Sequence, residues 1–380
     1  MRTFALAVMA LSLSTPALAQ FGAIDRAINN AQKVKRLADL SISDAEERQI
    51  GDQVSSQLIA RFGVFQDVEV TKYVSLVGNV IAQVSAKPNM PWEFVVLDTD
   101  GVNAFAAPGG FVFVTRGLLG LMKNEAELAG VLGHEVIHVT ARHSINALKK
   151  SNAVSFTADE VSASGGLAQG LVTRLAERAY TDILDNNFSR DDEKNSDENG
   201  VQLASKVGYA PAGLSSALTK VMARNKDQKE PNGIFASHPA IKERISNIEK
   251  LIAGRKLSGT ALVAERYGKY ITFDAKPLTE IAIADTAGAS GLAGGDGKSP
   301  EPTAEPKEEK PEEKKEEKKR GFGLGSLLSG GSQASKQQAS ASAGSRGLGN
   351  DRNATGGVTR TKVPVKIERA ELDEFRRGIA

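Results

Sequence analysis

The 380-residue chain holds four histidines, and two of them stand four residues apart in His134-Glu135-Val136-Ile137-His138. On a helix, positions i and i+4 share a face. Both imidazoles can therefore grip one Zn2+, with Glu135 beside them where a metal-activated water would sit. That chemistry is hydrolysis of a peptide bond, with the metal polarising the carbonyl and a carboxylate acting as general base. With histidine this scarce, a chance match on an ordinary amphipathic helix explains the motif poorly. A catalytic zinc takes three protein ligands and leaves the fourth place to water, so a third ligand must come from elsewhere. Cys is absent, which excludes thiolate ligands, Cys nucleophiles and disulfides and leaves His and carboxylates. Between Phe188 and Gly200, Glu193 and Asp197 are again i and i+4. Glu193 can reach the metal, and Asp197 can accept a hydrogen bond from the far nitrogen of a ligating His. Two carboxylates on a charged helix, taken alone, more often mark a solvated face.

The elements that must carry these residues follow from patterning. A helix starts near Asn124, with Glu125 and Glu127 in the first turn where the macrodipole favours carboxylates, and runs through the histidines to about Lys149. A second runs from about Arg190 to Val207 and ends at Gly208, a good C-terminal cap. Upstream, Ser43-Asp44-Ala45-Glu46 reads as a capping box opening a helix with Ile50, Val54, Leu58 and Ile59 on one face. Another, over about 67–85, shows Val70, Val74, Val77 and Ile81. Phe94–Leu97, Asn103–Ala106 and Phe111–Val114 read as short strands, with Pro108-Gly109-Gly110 as a turn between the last two. The stretch Ser162–Gly166 reads as a mobile flap before an amphipathic helix. Pro211 opens a helix, 240–254 form another, and 261–273 and 278–284 look strand-like.

In this order the motifs resemble the zinc metallopeptidase family that includes the CAAX prenyl proteases, the HtpX-type proteases and the periplasmic BepA-like proteins. The resemblance covers roughly residues 43–250. It rests on Asn103-Ala-Phe-Ala-Ala-Pro-Gly-Gly, on His134-Glu-Val-Ile-His138 followed by Ala141-Arg142-His143, and on Ser189-Arg190 leading to Glu193 and Asp197. Gly208-Tyr209-Ala210-Pro211 and Ser237-His238-Pro239 follow. Within the second-helix motif, Asn195 and Ser196 stand where the family commonly has an acidic residue and Ala. The resemblance implies a gluzincin-type endopeptidase binding one Zn2+ per chain through His134, His138 and Glu193, with Glu135 as general base and Asp197 orienting a ligand and aiding proton transfer. It implies an α+β fold: a mainly helical zincin-like domain with a small sheet, whose exposed edge at Asn103, Ala104, Phe105 and Ala106 pairs with extended substrate. His238 is expected to approach the metal as a possible regulatory group. His143 is expected to be a packed or capping residue, and Arg190 either an oxyanion donor or an ion-pair partner.

Met1-Arg2-Thr3, an apolar run over Phe4–Leu13 and Ala17-Leu18-Ala19 read as a cleavable signal peptide over 1–19, so export to a periplasm is expected, with membrane association peripheral at most. Residues 20–288 should form the metallopeptidase domain and 289–360 a disordered low-complexity linker, rich in Pro, Glu and Lys and then in Gly and Ser. Residues 361–380 should form a short terminal element. The region 300–380 carries too little apolar content to contribute a core, so the domain is expected to stand without it. A net charge of +2 gives no reason to expect nucleic acid. The expected partners are unfolded or misassembled polypeptides of the envelope, and assembly machinery through the tail. The rival reading is a chaperone or assembly adaptor holding polypeptides on the edge strand.

Overall fold

The computed structural model describes residues 40–150, 161, 166–185, 188–224, 238, 240–277 and 361–379. At its centre is a three-stranded sheet of order β1-β3-β2, formed by β1 (Glu93–Leu97), β2 (Ala104–Ala107) and β3 (Phe111–Thr115). β1 and β3 run parallel, with Phe94 opposite Val112, and β2 returns antiparallel, with Phe105 opposite Phe113. Side chains alternate across a strand, and here both faces are covered, which is why the strands read as unbroken apolar runs. Phe94, Val96, Ala104, Ala106, Val112 and Val114 join one apolar cluster, whereas Val95, Leu97, Phe105, Ala107, Phe111 and Phe113 join the other.

The second cluster is closed by α1 (Asp44–Phe62), α5 (His143–Lys150) and α6 (Gln169–Asp185). The capping box at Ser43 is present: Glu46 N donates to the Ser43 side chain, and Ser43 N donates to the Glu46 carboxylate at 2.8 Å. The first cluster takes α2 (Val68–Ala82), α4 (Glu125–Thr140), α7 (Arg190–Val207), α8 (Gly213–Arg224) and α9 (Ile241–Arg255). The short α3 (Arg116–Leu121) joins β3 to α4. Among the described residues no helix is long and apolar enough to cross a membrane.

Helices α4 and α7 cross at two glycines. A Cβ on Gly133 would lie 2.8 Å from the Gly200 carbonyl oxygen, and one on Gly200 would lie 2.7 Å from His134 N. Neither obstacle is a flexible side chain, so this spacing requires glycine at both places.

Three expectations change. The helix through the histidines does not run unbroken to Lys149: it ends at Thr140, and Arg142, at φ 58, turns the chain before α5. A left-handed non-glycine residue costs about 1 kcal/mol, and Arg142 is held there by an ion pair to buried Glu47 at 2.7 Å and a hydrogen bond to the Ile42 carbonyl at 2.7 Å. Within 261–273, Ala264–Tyr270 is a helix, α10, rather than a strand. It carries Tyr267 into the core. The flap at 162–166 and the piece at 278–284 fall wholly or almost wholly outside the described residues, as do the leader 1–19 and the linker 289–360.

The third change concerns the C-terminal element. Residues 361–379, including α11 (Arg369–Arg377), pack onto α2 and α10 and bury Leu372 and Ile379 in the first cluster. Lys362 pairs with Glu93 at 2.7 Å and Lys72 with Glu371 at 2.6 Å. The Arg266 guanidinium lies 4.0 Å over the Phe375 ring and donates to its carbonyl. The same arginine, with Tyr73 and Tyr209, binds the fully buried Glu125 carboxylate at the start of α4. The terminal element is therefore tied to the helix that bears the histidines.

Two outcomes follow. Deleting 361–380 exposes the partners of two buried apolar side chains and should lower the melting temperature by about 5–10 °C. An unchanged thermal transition would instead uphold the expectation that this segment is dispensable. Gly200→Ala should force α4 and α7 apart at a cost of about 1–3 kcal/mol and lower zinc occupancy as well as stability, read by metal analysis of the purified variant.

Candidate metal centre

The histidine-bearing helix is set by its cap: the Asn124 side chain accepts from Glu127 N, and the first turn carries Glu125 and Glu127. Two turns further on, His134 and His138 present their Nε2 atoms 3.0 Å apart. Across the crossing, α7 is started by Ser189 and Asp192 in a reciprocal capping box, so Glu193 and Asp197 face α4. Glu193 Oε1 lies 3.3 Å from His138 Nε2, and Oε2 lies 3.6 Å from His134 Nε2. His238 completes the group, with Nδ1 3.3 Å from His134 Nε2 and 2.9 Å from Glu193 Oε1. One ligand atom from each of His134, His138, Glu193 and His238 lies within 4.8 Å of all the others, and all four residues are buried. Ligands arranged tetrahedrally about a zinc ion at about 2.1 Å are roughly 3.4 Å apart, so nitrogen and carboxylate donors at these separations fit that ion. Glu135 supplies an independent test. It is 1% exposed, neither carboxylate oxygen has a hydrogen-bond partner, and His238 Nε2 lies 3.6 Å away. A buried carboxylate is left unpaired only where something else is to bind it, which is what a base facing an attacking water requires.

The electrostatics sort these groups. Burial alone would raise the Glu193 carboxyl, but His238 and Arg244 beside it outweigh burial and hold it well below the usual carboxylate range. Burial likewise works against Asp197, yet Arg244 and His134 bring it down to about 2. Burial pushes the His138 imidazolium well below its ordinary value, which keeps the ring neutral and able to ligate. Burial also pushes Glu135 up, toward the range where a carboxylate can take and return a proton.

Asp197 does what its spacing suggested toward a histidine: Oδ1 lies 2.9 Å from His134 Nδ1, on the far side of the ring from the metal position. That bond fixes which nitrogen carries the proton. His143, expected only to pack or cap, begins α5 with its Nδ1 3.1 Å from His138 Nδ1. Ser196 Oγ is 3.4 Å from the same atom, and the Asn195 side chain hydrogen-bonds the ring. Both positions where the second-helix motif departs from the family pattern thus meet His143. Arg190 is exposed and shares a surface cleft with Glu193, Asp197 and Arg244.

The arginine at the site is Arg244, which the sequence reading missed. Its Nε and Nη2 fork onto Asp197 at 2.8 and 2.6 Å, and Nη1 reaches Glu193 Oε2 at 2.9 Å and the His238 carbonyl at 3.5 Å. A signal existed: Arg244 falls between Ile241 and Ile248 on the buried face of α9, where only an apolar residue or a paired charge belongs.

The edge strand needs a correction. β2 is at the edge of the sheet, but it is not exposed: Ala104 to Ala107 are all buried, and Asn103 is 5% exposed. The reason is packing on both faces, on α4 across one and on α1 and α6 across the other, and Ser144 and Ile145 share a cleft with Ala106, Ala107, Pro108 and His138.

Comparison with known proteins agrees with the geometry. Residues 68–252 match the model of peptidase family M48. The chain is 30% identical to metalloprotease YcaL of Escherichia coli over 238 residues, 60% of this chain and 88% of that protein. It is 28% identical to the beta-barrel assembly-enhancing protease of Yersinia pestis over 220 residues, which is 55% of this chain but only 44% of that protein. It is 33% identical to the mitochondrial metalloendopeptidase OMA1 of Schizosaccharomyces pombe over 184 residues, 47% of this chain and 52% of that one. The chain thus spans about half the length of several relatives it matches, while aligning with nearly all of YcaL. With the ligand set, the base and the matched region coinciding, the chain belongs to peptidase family M48.

Proposed function

We propose that the protein is a zinc-dependent endopeptidase that cleaves unfolded or misassembled envelope polypeptides after export to the periplasm. The observation that carries this reading is the buried, unpartnered Glu135 carboxylate beside a converging His134, His138 and Glu193. When bound, the zinc would polarise the scissile carbonyl and lower the pKa of a coordinated water toward neutrality. The chain's own part follows from its geometry. Glu135 takes a proton from the attacking water and returns it to the leaving amine. Asp197 and Arg244 fix His134 from behind, so the ring cannot rotate as charge develops. An extended substrate would add to the outer edge of β2 through main-chain hydrogen bonds, giving affinity with little sequence preference.

The envelope substrates, the leader over 1–19 and contact with assembly machinery through the tail are supported by the sequence patterns and by the similarity to beta-barrel assembly-enhancing proteases. His238 has a further part in this reading. Its ring stands among the three ligands, in the place a catalytic zinc keeps for water, so its presence there restrains the site until it moves aside.

Purified protein should contain about one zinc per chain and cleave casein in a chelator-sensitive manner. Glu135→Gln should lose cleavage by a factor of about 10^2–10^4 at full zinc occupancy, whereas Glu193→Gln should lose zinc. Equal zinc in Glu193→Gln and the parent would remove Glu193 from the ligand set. His238→Ala should raise basal cleavage of an unfolded substrate while zinc stays bound. An inactive His238→Ala at full occupancy would place His238 among the catalytic groups instead.

A further inference from the structure

The zinc-bearing helix stops two residues beyond its second histidine at a left-handed Arg142, a conformation that glycine would adopt freely. Backbone strain of this kind persists only where the surroundings enforce it, and it clusters at functional sites. Here the enforcement is explicit. The buried Glu47 carboxylate and the Ile42 carbonyl, both from the α1 region, hold the Arg142 guanidinium, and Asn146 N donates to the Arg142 carbonyl to start α5. Had α4 continued, residue 143 would project about 140° away from His138 around the helix. The turn instead brings the His143 ring edge-on to His138, with centroids 4.9 Å apart and an interplanar angle of 83°.

The proton inventory of His138 then decides what the contact does. Its Nε2 faces His134 Nε2 at 3.0 Å and Glu193 at 3.3 Å, so this nitrogen is the one offered to the metal. A neutral imidazole ligating through Nε2 carries its hydrogen on Nδ1. That hydrogen needs an acceptor, and His143 Nδ1 at 3.1 Å is in place to be one. His143 must then hold its own hydrogen on Nε2, the atom that faces Asp192 Oδ1 at 3.6 Å. Both rings are buried, at 1% and 5% exposure, so water is a poor substitute.

We infer that His143 is a positioning residue for the zinc ligand His138: its Nδ1 accepts the His138 Nδ1–H, and the left-handed Arg142, locked by Glu47, exists to place it there. The two ligating histidines are thus backed differently. His134 leans on the carboxylate of Asp197, which is itself neutralised by Arg244, and His138 on a neutral imidazole relayed toward Asp192. Fixing tautomer and ring orientation from the far nitrogen is worth about 10–100-fold in metal affinity. The inference rests on His138 being a ligand, which the zinc content of the unaltered protein tests separately.

The full-length protein decides it with three variants and a zinc-affinity measurement by chelator competition at neutral pH. His143→Leu keeps bulk and removes the acceptor, and it should weaken zinc binding about 10–100-fold with the metal-free melting temperature nearly unchanged. His143→Asn carries its carboxamide oxygen where the His Nδ1 stands, and it should restore affinity to near that of the unaltered protein. Arg142→Gly accepts the backbone turn but frees it from Glu47, and it should fall between the two. Unaltered zinc affinity in His143→Leu would overturn the inference, as would equal losses in His143→Leu and His143→Asn. Should the leucine variant fail to fold, imidazole 15N resonances of the zinc-loaded unaltered protein still decide. A proton on His138 Nδ1 with His143 Nδ1 bare is expected, and a proton on His143 Nδ1 would contradict it.

Discussion

The crossing of α4 and α7 at Gly133 and Gly200 is the constraint on which the site depends. Gly133 is the neighbour of His134, and Gly200 lies three and seven residues beyond Asp197 and Glu193, on the same face of α7. The contact is backbone against backbone, so the distance between helices is set by van der Waals radii rather than by the packing of adaptable side chains. His134 and His138 from α4 then meet Glu193 from α7 at about 3 Å. The start of α4 is pinned separately, by Tyr73, Tyr209 and Arg266 on Glu125, so the helix can neither slide nor rotate about its axis.

Close approach of this kind concentrates charge away from water. Glu135, Glu193 and Asp197 are three carboxylates of one site at 1–4% exposure. Such a group of carboxylates stands only if each ionised member is matched. Arg244 matches two of them, forking onto Asp197 and touching Glu193. Glu135 has no guanidinium on it, only His238 Nε2 at 3.6 Å, and burial raises its affinity for a proton. The same desolvation therefore does opposite work on neighbouring carboxyls: where a guanidinium is present it makes a permanent anion, and where none is present it makes a proton acceptor for chemistry.

Much of this was legible in the sequence for a physical reason. Helical period places His134 with His138 and Glu193 with Asp197, and the capping box marks Ser43 as a helix start, all of which the structure bears out. The three short strands read from the apolar runs are present, although the sequence reading did not foresee that both faces of the sheet are covered. The failures share a cause, which is that tertiary partners overrode local pattern. Arg142 carries no local signal for a left-handed turn, because what enforces it is Glu47, nearly a hundred residues away. Arg244 carries no local signal of its role, which comes from the two carboxylates that face it. Leu372 and Ile379 are too few to suggest a core by composition, yet they enter one already built by α2 and α10.

The claim that two helices held at glycine contact present one zinc to a waiting base is most directly tested by anomalous diffraction at the zinc edge, on crystals of the zinc-loaded protein. The expected result is a single full-occupancy peak within about 2.1 Å of His134 Nε2, His138 Nε2 and a Glu193 oxygen, with the Glu135 carboxylate facing it but not bound. A peak elsewhere, or one coordinated by Glu135 in place of Glu193, would contradict it.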